Sequence, residues 1–341
     1  MKFKKYGIPL AVLGCVLMIY ICTIVGITAI PVGDANRILL HEILHLPVNM
    51  DGISSGNTAI IWNVRLPRVI LGFLTGGALA VCGAAYQGIF KNPMADPYIL
   101  GVSSGAALGA SIGIIFKFGG SLLGLNTTAI FAFIGAFASI FLVYTISRVG
   151  RRVPVATLLL SGIAISQTLS AFMSLLMIFN VDSMNQVMFW TMGSLNGKGW
   201  NQVIIVLPYV VLGILLMMTS VRELDIMLLG EDTAVQLGVD TEKLKRKILI
   251  SSSIITAAVV SVTGIIGFVG LVVPHVVRLF TGPKHRKLVP LSLVFGGTFL
   301  IICDTLARTL SPMEIPVGII TAAFGGPFFI YLLRKARKGG V

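Results

Sequence analysis

Charge is scarce in this sequence: 11% of its 341 residues are Asp, Glu, Lys or Arg, while 56% are hydrophobic. Soluble globular chains carry about 25% charged residues. So few charges cannot cover a soluble domain of this length, which excludes an ordinary cytosolic enzyme. Also missing is any G-x-x-x-x-G-K-[ST] run, the loop whose backbone N–H groups cradle nucleotide phosphates. Any ATP chemistry therefore belongs to a partner. The four cysteines, Cys15, Cys22, Cys82 and Cys303, all fall inside apolar runs. They read as packing residues, neither disulfides nor a metal set. No internal repeat or low-complexity segment occurs.

What is abundant is apolar sequence in runs of about 20 residues, each long enough to cross a hydrocarbon core of about 30 Å as a helix. The runs predict ten spans, at 7–30, 66–90, 98–116, 126–147, 154–179, 201–219, 248–266, 268–281, 289–307 and 316–333. The eighth is short and carries Pro274, His275 and Arg278, so it is the weakest candidate for a full crossing. The fold class is an all-α polytopic membrane protein, read as one transmembrane domain over 1–341. Lys2-Phe3-Lys4-Lys5 before an apolar stretch looks like a signal peptide. The run to Ile30 exceeds a normal h-region and has no small-x-small cleavage site, so it reads as an uncleaved first span. Glycine, at 38 residues, is enriched as it is in membrane helices that pack closely.

The net charge of +13 is explained by placement, not by nucleic acid. Basic clusters at Lys2–Lys5, Arg148–Arg152, Arg222, Lys243–Lys247, Lys284–Lys287 and Arg334–Lys338 fall on one side, which the positive-inside rule makes cytoplasmic. Both termini are then inside. Arg65, Arg68 and Arg308 fall on the outer side, against that bias. They suit either an acidic partner or lipid phosphates.

Four local patterns carry candidate chemistry. His41-Glu42-Ile43-Leu44-His45 matches H-E-x-x-H, which on a helix presents two zinc ligands and a general base. It lies in an outer segment without a third ligand nearby, so it reads as chance and no metal is expected. Gly101, Gly105, Gly109 and Gly113 repeat every four residues, clearing one helix face for a tightly apposed helix or for a lumen. Asp304 is the one carboxylate within the spans and stands four residues from Arg308, close enough to pair. An ion-coupled carrier usually needs mid-membrane carboxylates as relays, so that class is disfavoured. The inner segment 220–247 alternates apolar residues with acids, breaks at Gly230 and stops at Gly238. This predicts two short amphipathic helices around a turn.

Taken together, several segments give the chain a family likeness. They are Arg65-Leu-Pro-Arg68, NPMADPYILGVSSGAALGA at 92–110, LLLSG at 158–162, Met192-Gly193-Ser194, LLGEDTAVQLGV at 228–239, GFVGLVVPHVVR at 267–278, Asp304 to Arg308, and IPVGIITAAFGGPFFIYLL at 315–333. Over nearly its whole length the chain resembles the permease subunits of type II ATP-binding-cassette importers for iron–siderophore, haem and vitamin B12. The resemblance implies a vitamin B12 permease-like homodimer, or a dimer with a homologous permease, in a bacterial cell membrane. Each subunit would bind a cytoplasmic ATPase that uses ATP and Mg2+, so the chain is not itself an enzyme and holds no cofactor. An extracytoplasmic binding protein would deliver a ferric siderophore, or alternatively haem or cobalamin, for alternating-access import. Its glutamates would dock on Arg65, Arg68 and Arg308. The coupling contacts implied are Leu224, Leu228, Leu229, Gly230, Glu231, Asp232, Leu237 and Gly238. The gate falls at Asn92, Met94, Val155 and Ala156, with Gly101, Gly105 and Gly109 along the pathway. Val155 and Ala156 depart from the small polar gate residues of the vitamin B12 permease, which weighs against cobalamin.

Overall fold

A computed structural model describes residues 3–117, 121–122, 125–150, 152–311 and 313–338. It is almost entirely helical: α1 (Phe3–Ile24), α2 (Val32–Leu44), α3 (Ser55–Ala59), α4 (Leu66–Ile89), α5 (Val102–Ile115), α6 (Thr127–Ser147), α7 (Val155–Phe179), α8 (Val181–Thr191), α9 (Trp200–Met218), α10 (Val221–Met227), α11 (Glu231–Gln236), α12 (Thr241–Thr263), α13 (Val269–Thr281), α14 (His285–Thr309) and α15 (Val317–Lys338). Among the described residues, seven helices are long and apolar enough to cross a membrane, and α5, α13 and α15 supply shorter apolar stretches. All ten expected spans thus have a helix, and two of these helices, α5 and α13, are below full crossing length at 14 and 13 residues.

Several boundaries differ from the sequence reading: α1 stops at Ile24 and not at 30, α14 starts at His285 and not at 289, and three further differences have a clear local reason. The second span begins earlier: α3, a π-helical turn at Ile60–Arg65 and α4 form one rod, Ser55–Ile89. Ser54 caps its start by accepting the Asn57 N–H at 3.1 Å. The wider π turn, with Leu66 N–H bonded to Ile61 O, lies immediately before Pro67, whose ring would otherwise crowd the preceding turn. The third span is broken at Gly101, whose φ of +79° ends a 3-10 turn over Pro97–Leu100 and starts α5. The seventh begins at Thr241, because the Asp240 carboxylate caps the Lys243 N–H at 3.0 Å. α8 was not foreseen.

α4 is the hub: every residue of it except Ile70 and Phe73 is buried. It packs against α14, α13, α12 and α9. Lipid tails are as apolar as leucine, so close backbone approach has to supply the attraction. α4 is accordingly rich in Gly and Ala where it meets its neighbours. A Cβ on Gly76 would lie 2.6 Å from Leu300 Cβ, and one on Gly77 2.6 Å from Leu293 Cδ1. α5 and α6 form a second close pair. α1, α7 and α9, by contrast, leave most of their apolar side chains uncovered.

Candidate transport and coupling sites

At the end where α1 stops and α4 begins, the outer end in the sequence-derived orientation, Arg65, Arg68 and Arg308 are gathered as the pattern anticipated. They are not free, however: their exposures are 4%, 5% and 4%. Arg68 forks onto Asp304, Nε to Oδ2 at 2.9 Å and Nη2 to Oδ1 at 3.0 Å, and its Nη1 reaches Glu314 Oε2 at 2.9 Å. Arg65 donates to the carbonyls of Ile24 and Thr28, both at 2.5 Å. Gly26 leaves the room this needs, since a Cβ there would lie 2.5 Å from the guanidinium carbon. Arg308 donates to the Cys22 carbonyl and to Thr305 Oγ1. Its Nε, 3.9 Å from Asp304, is buried without a hydrogen bond.

Two of these arginines therefore cap the C-terminal carbonyls of α1, where a helix leaves acceptors unsatisfied and carries negative partial charge. The third neutralises the buried carboxylate of α14. That is why arginine stands here against the positive-inside bias. The expectation of three presented guanidiniums is corrected to one of three buried ones, facing two carboxylates of the same chain.

At the opposite end, α10 and α11 form the expected pair of short helices around Gly230. Gly230 has φ +129°, a conformation open to glycine, and it leads α11. α11 stops as the pattern required. Gly238 at φ +84° donates to Val235 O and Val239 N–H returns to Ala234 O, the doubly bonded left-handed cap. Leu224 and Met227 are fully buried against the body of the chain, so Leu224 is an anchor and not a contact offered outward. Leu228, Leu229 and Leu237 stay exposed at 38%, 66% and 58%. Val235, which sequence reasoning missed, joins them at 57%. Glu231 and Asp232 start α11, where acids suit the helix N-terminus.

The gate residues sit on two turns that lead into one contact. Asn92 Oδ1 accepts the Met94 N–H at 2.9 Å, and Met94 is exposed. Asp96 caps the next turn by accepting the Tyr98 N–H at 2.9 Å. Desolvation pushes the Asp96 carboxyl up to about 6, against the lowering effect of that N–H. The 3-10 turn that follows is pressed onto α7, where Gly162 lies under the Ile99 carbonyl. Val155 and Ala156 open α7 after Pro154.

The glycine stripe resolves the alternatives left open by the sequence. Gly105 faces Gly135 and Ser139, Gly109 faces the Phe131 carbonyl, and Gly113 faces Thr128. Gly101 accepts from Ser139 Oγ at 2.8 Å. The stripe is a seam against α6, not a wall of a lumen within this subunit. A better lumen candidate is α7, beyond the LLLSG segment at its start. Only Leu158, Ser161 and Gly162 of its 25 residues are buried. Ala164, Gln167, Thr168, Ala171 and Ser174 are exposed at helical spacing on it. Exposed Gln167, Thr168 and Ser174 on the middle turns are costly against lipid, while Leu160, Leu175 and Ile178 are exposed on the same side towards the two ends.

His41 and His45 are both exposed, and His45 sits beyond α2 with φ +52°. The two do not share a helical face. Among the described residues no group of three or more His, Cys, Asp or Glu could hold a metal. All four cysteines are buried free thiols.

This fold, a multi-pass helical bundle with a short amphipathic helix pair at one end, defines a membrane permease. Residues 13–335 match the FecCD transport family, and the chain belongs to that family. It is 46% identical over 283 residues to the cobalamin import system permease protein BtuC of Halobacterium salinarum, covering 83% of this chain and 75% of that one. It is 42% identical to the hemin transport system permease protein HmuU of Yersinia pestis, covering 82% and 84%. Among solved structures it superposes on a metal-chelate type ABC transporter in an inward-facing conformation, with TM-score 0.82, 29% identity and coverage of 96% and 99%. The chain is thus a permease subunit of an ABC importer, a multi-pass membrane protein and a transport component, not an enzyme.

Proposed function

We propose that two copies of this chain, or one copy with a homologous permease, enclose a pathway for a large metal chelate. A cytoplasmic ATPase dimer using ATP and Mg2+ drives it, and an extracytoplasmic binding protein supplies it. Both termini face the cytoplasm. The observation that carries this reading is the exposed apolar edge of Leu228, Leu229, Val235 and Leu237 on an otherwise charged segment. Leu224 and Met227 anchor that edge rigidly beneath. An apolar edge held outside the membrane marks a protein contact, and α7 offers the pathway face. A ferric siderophore, haem and cobalamin are the cargo classes. The likeness to the cobalamin permease supports cobalamin as strongly as any iron chelate, despite Val155 and Ala156.

Reconstitution with the ATPase and binding protein tests this. ATP-driven vesicle uptake of cyanocobalamin, haemin or a ferric hydroxamate is expected for one of the three. Uptake driven by a proton or sodium gradient without the ATPase would instead mark a secondary carrier. At the outer rim, a binding protein would meet residual positive charge and not free forks. Arg65→Glu with Arg68→Glu is therefore expected to damage folding as well as docking.

Gly230→Pro should abolish coupling. Proline fixes φ near −65°, whereas this position requires +129°, and the Gly230 N–H donates to Met227 O at 3.2 Å. Forcing the turn costs about 1–3 kcal/mol, so co-purification of the ATPase should fall roughly tenfold or more. Undiminished co-purification and uptake would remove the segment from the coupling role.

A further inference from the structure

One continuous line of polar contacts runs from α11 to Val153, in the segment that leads into α7. Lys245, on α12, is 5% exposed. Its ammonium touches Glu231 of α11 at 2.5 Å and Glu242 at 3.1 Å. The other oxygen of Glu242 accepts the Val153 N–H at 2.9 Å. Val153 is itself buried, and Pro154, Val155 and Ala156 follow it directly. Val153 lies 89 positions from Glu242, so the line joins three separate parts of the chain.

The energetics make this line stiff in one place and yielding in another. Removing the buried ammonium would leave the two carboxylates facing one another without a counter-charge, so Lys245 holds them together. Glu242 is held in the first turn of α12, where the helix terminus favours an acid, and it pairs with Lys245 three residues on. The Lys245 side chain is 6% exposed and that of Glu242 30%, but that of Glu231 is 44%. The accessible end is therefore on α11 and the enclosed end is on α12. Beyond the Val153 amide, the fixed φ of Pro154 passes any displacement directly to the start of α7.

We propose that Lys245 and Glu242 are positioning residues that carry movement of the α10–α11 segment to the gate end of α7. Glu231 is the input carboxylate and the Val153 amide the output. This rests on the reading of the inner segment as the ATPase-facing element.

The test uses the full chain assembled with its ATPase and two cysteine reporters. Leu237→Cys reports on α11, and Ala156→Cys reports on the start of α7. The four native thiols are buried and set the background. Alkylation rates by a charged maleimide are compared without nucleotide and with MgATP and vanadate. Each reporter should change its rate by about fivefold or more, the range of ordinary site-to-site coupling. In Glu242→Ala and in Lys245→Met the Leu237→Cys response should persist, while the Ala156→Cys response falls below about twofold. Glu242→Gln keeps an oxygen for the Val153 amide but loses the charge facing Lys245, so it should give an intermediate response. Loss of folded protein would abolish the Leu237→Cys response as well, so its persistence in the same variant separates lost coupling from misfolding. If Glu242→Ala does not assemble, Glu242→Gln and Lys245→Met decide. A full Ala156→Cys response in these variants overturns the proposal. Absence of any response at Leu237→Cys in the otherwise unaltered chain would instead overturn the ATPase-facing assignment beneath it.

Discussion

Arg68→Ala is expected to cost roughly 3–5 kcal/mol of folded-state stability, the usual effect of removing one partner from a buried ion pair. The Arg68 side chain is 6% exposed and that of Asp304 2%. Truncation therefore strands a carboxylate inside the protein, along with Glu314, which loses its 2.9 Å contact. The lost geometry matters as well as the charge. The two parallel contacts to Asp304 need a planar fork, so Arg68→Lys should recover only part of the loss. Asp304→Ala added to Arg68→Ala should cost less than the sum of the single changes, because the buried Asp304 carboxylate is no longer stranded, although Glu314 still loses its contact and Arg308 its carboxylate neighbour. Thermal midpoints of the purified protein in detergent provide the measurement, with a fall of about 5 °C or more expected for Arg68→Ala. An unchanged midpoint together with weakened binding-protein docking would return Arg68 to the role first expected of it.

That expectation shows where sequence legibility ended. Patterns that depend on neighbours in the chain were readable. Gly238 stops α11 because only a residue tolerant of positive φ closes that cap, and the apolar runs mark spans because lipid admits little else. The pair of short helices around Gly230 followed from spacing in the same way. What could not be read was the identity of a distant partner. Arg65 is anomalous by the positive-inside rule, but its acceptors, the Ile24 and Thr28 carbonyls, are 41 and 37 residues away. Backbone carbonyls carry no sequence mark. Leu224 and Leu229 look alike in an amphipathic run, and only packing against α4 and α14 makes one an anchor and the other an exposed edge. The polar face of α7 was hidden for a related reason: serine, threonine and alanine are also ordinary members of buried helices, so exposure alone distinguishes them.

Gly105→Leu should prevent assembly of an active permease, and Gly105→Ala should already be strongly destabilising. A Cβ at Gly105 would lie 2.6 Å from Ser139 Cβ and closer still to the Gly135 carbonyl oxygen. Backbone on α6 cannot rotate away as a side chain can, so the two helices must part along the seam. Gly109, against the Phe131 carbonyl, and Gly135, against the Gly105 carbonyl, would then lose their contacts as well. Overpacking of a close core typically costs about 1–3 kcal/mol, and here several contacts fail together. Gly14 in α1 is the counter-case, with nothing within 4 Å of an added Cβ. There Gly14→Ala should be neutral or stabilising by up to about 1 kcal/mol, since alanine gives up less backbone freedom in a helix. Monodisperse yield and ATP-driven uptake, measured side by side, separate the two positions. Because the stripe packs on α6, the loss at Gly105 should appear as missing folded protein and not as a blocked pathway in an intact dimer. A well-folded Gly105→Leu with no transport would place this face on the lumen after all, and a fully active one would turn it towards lipid.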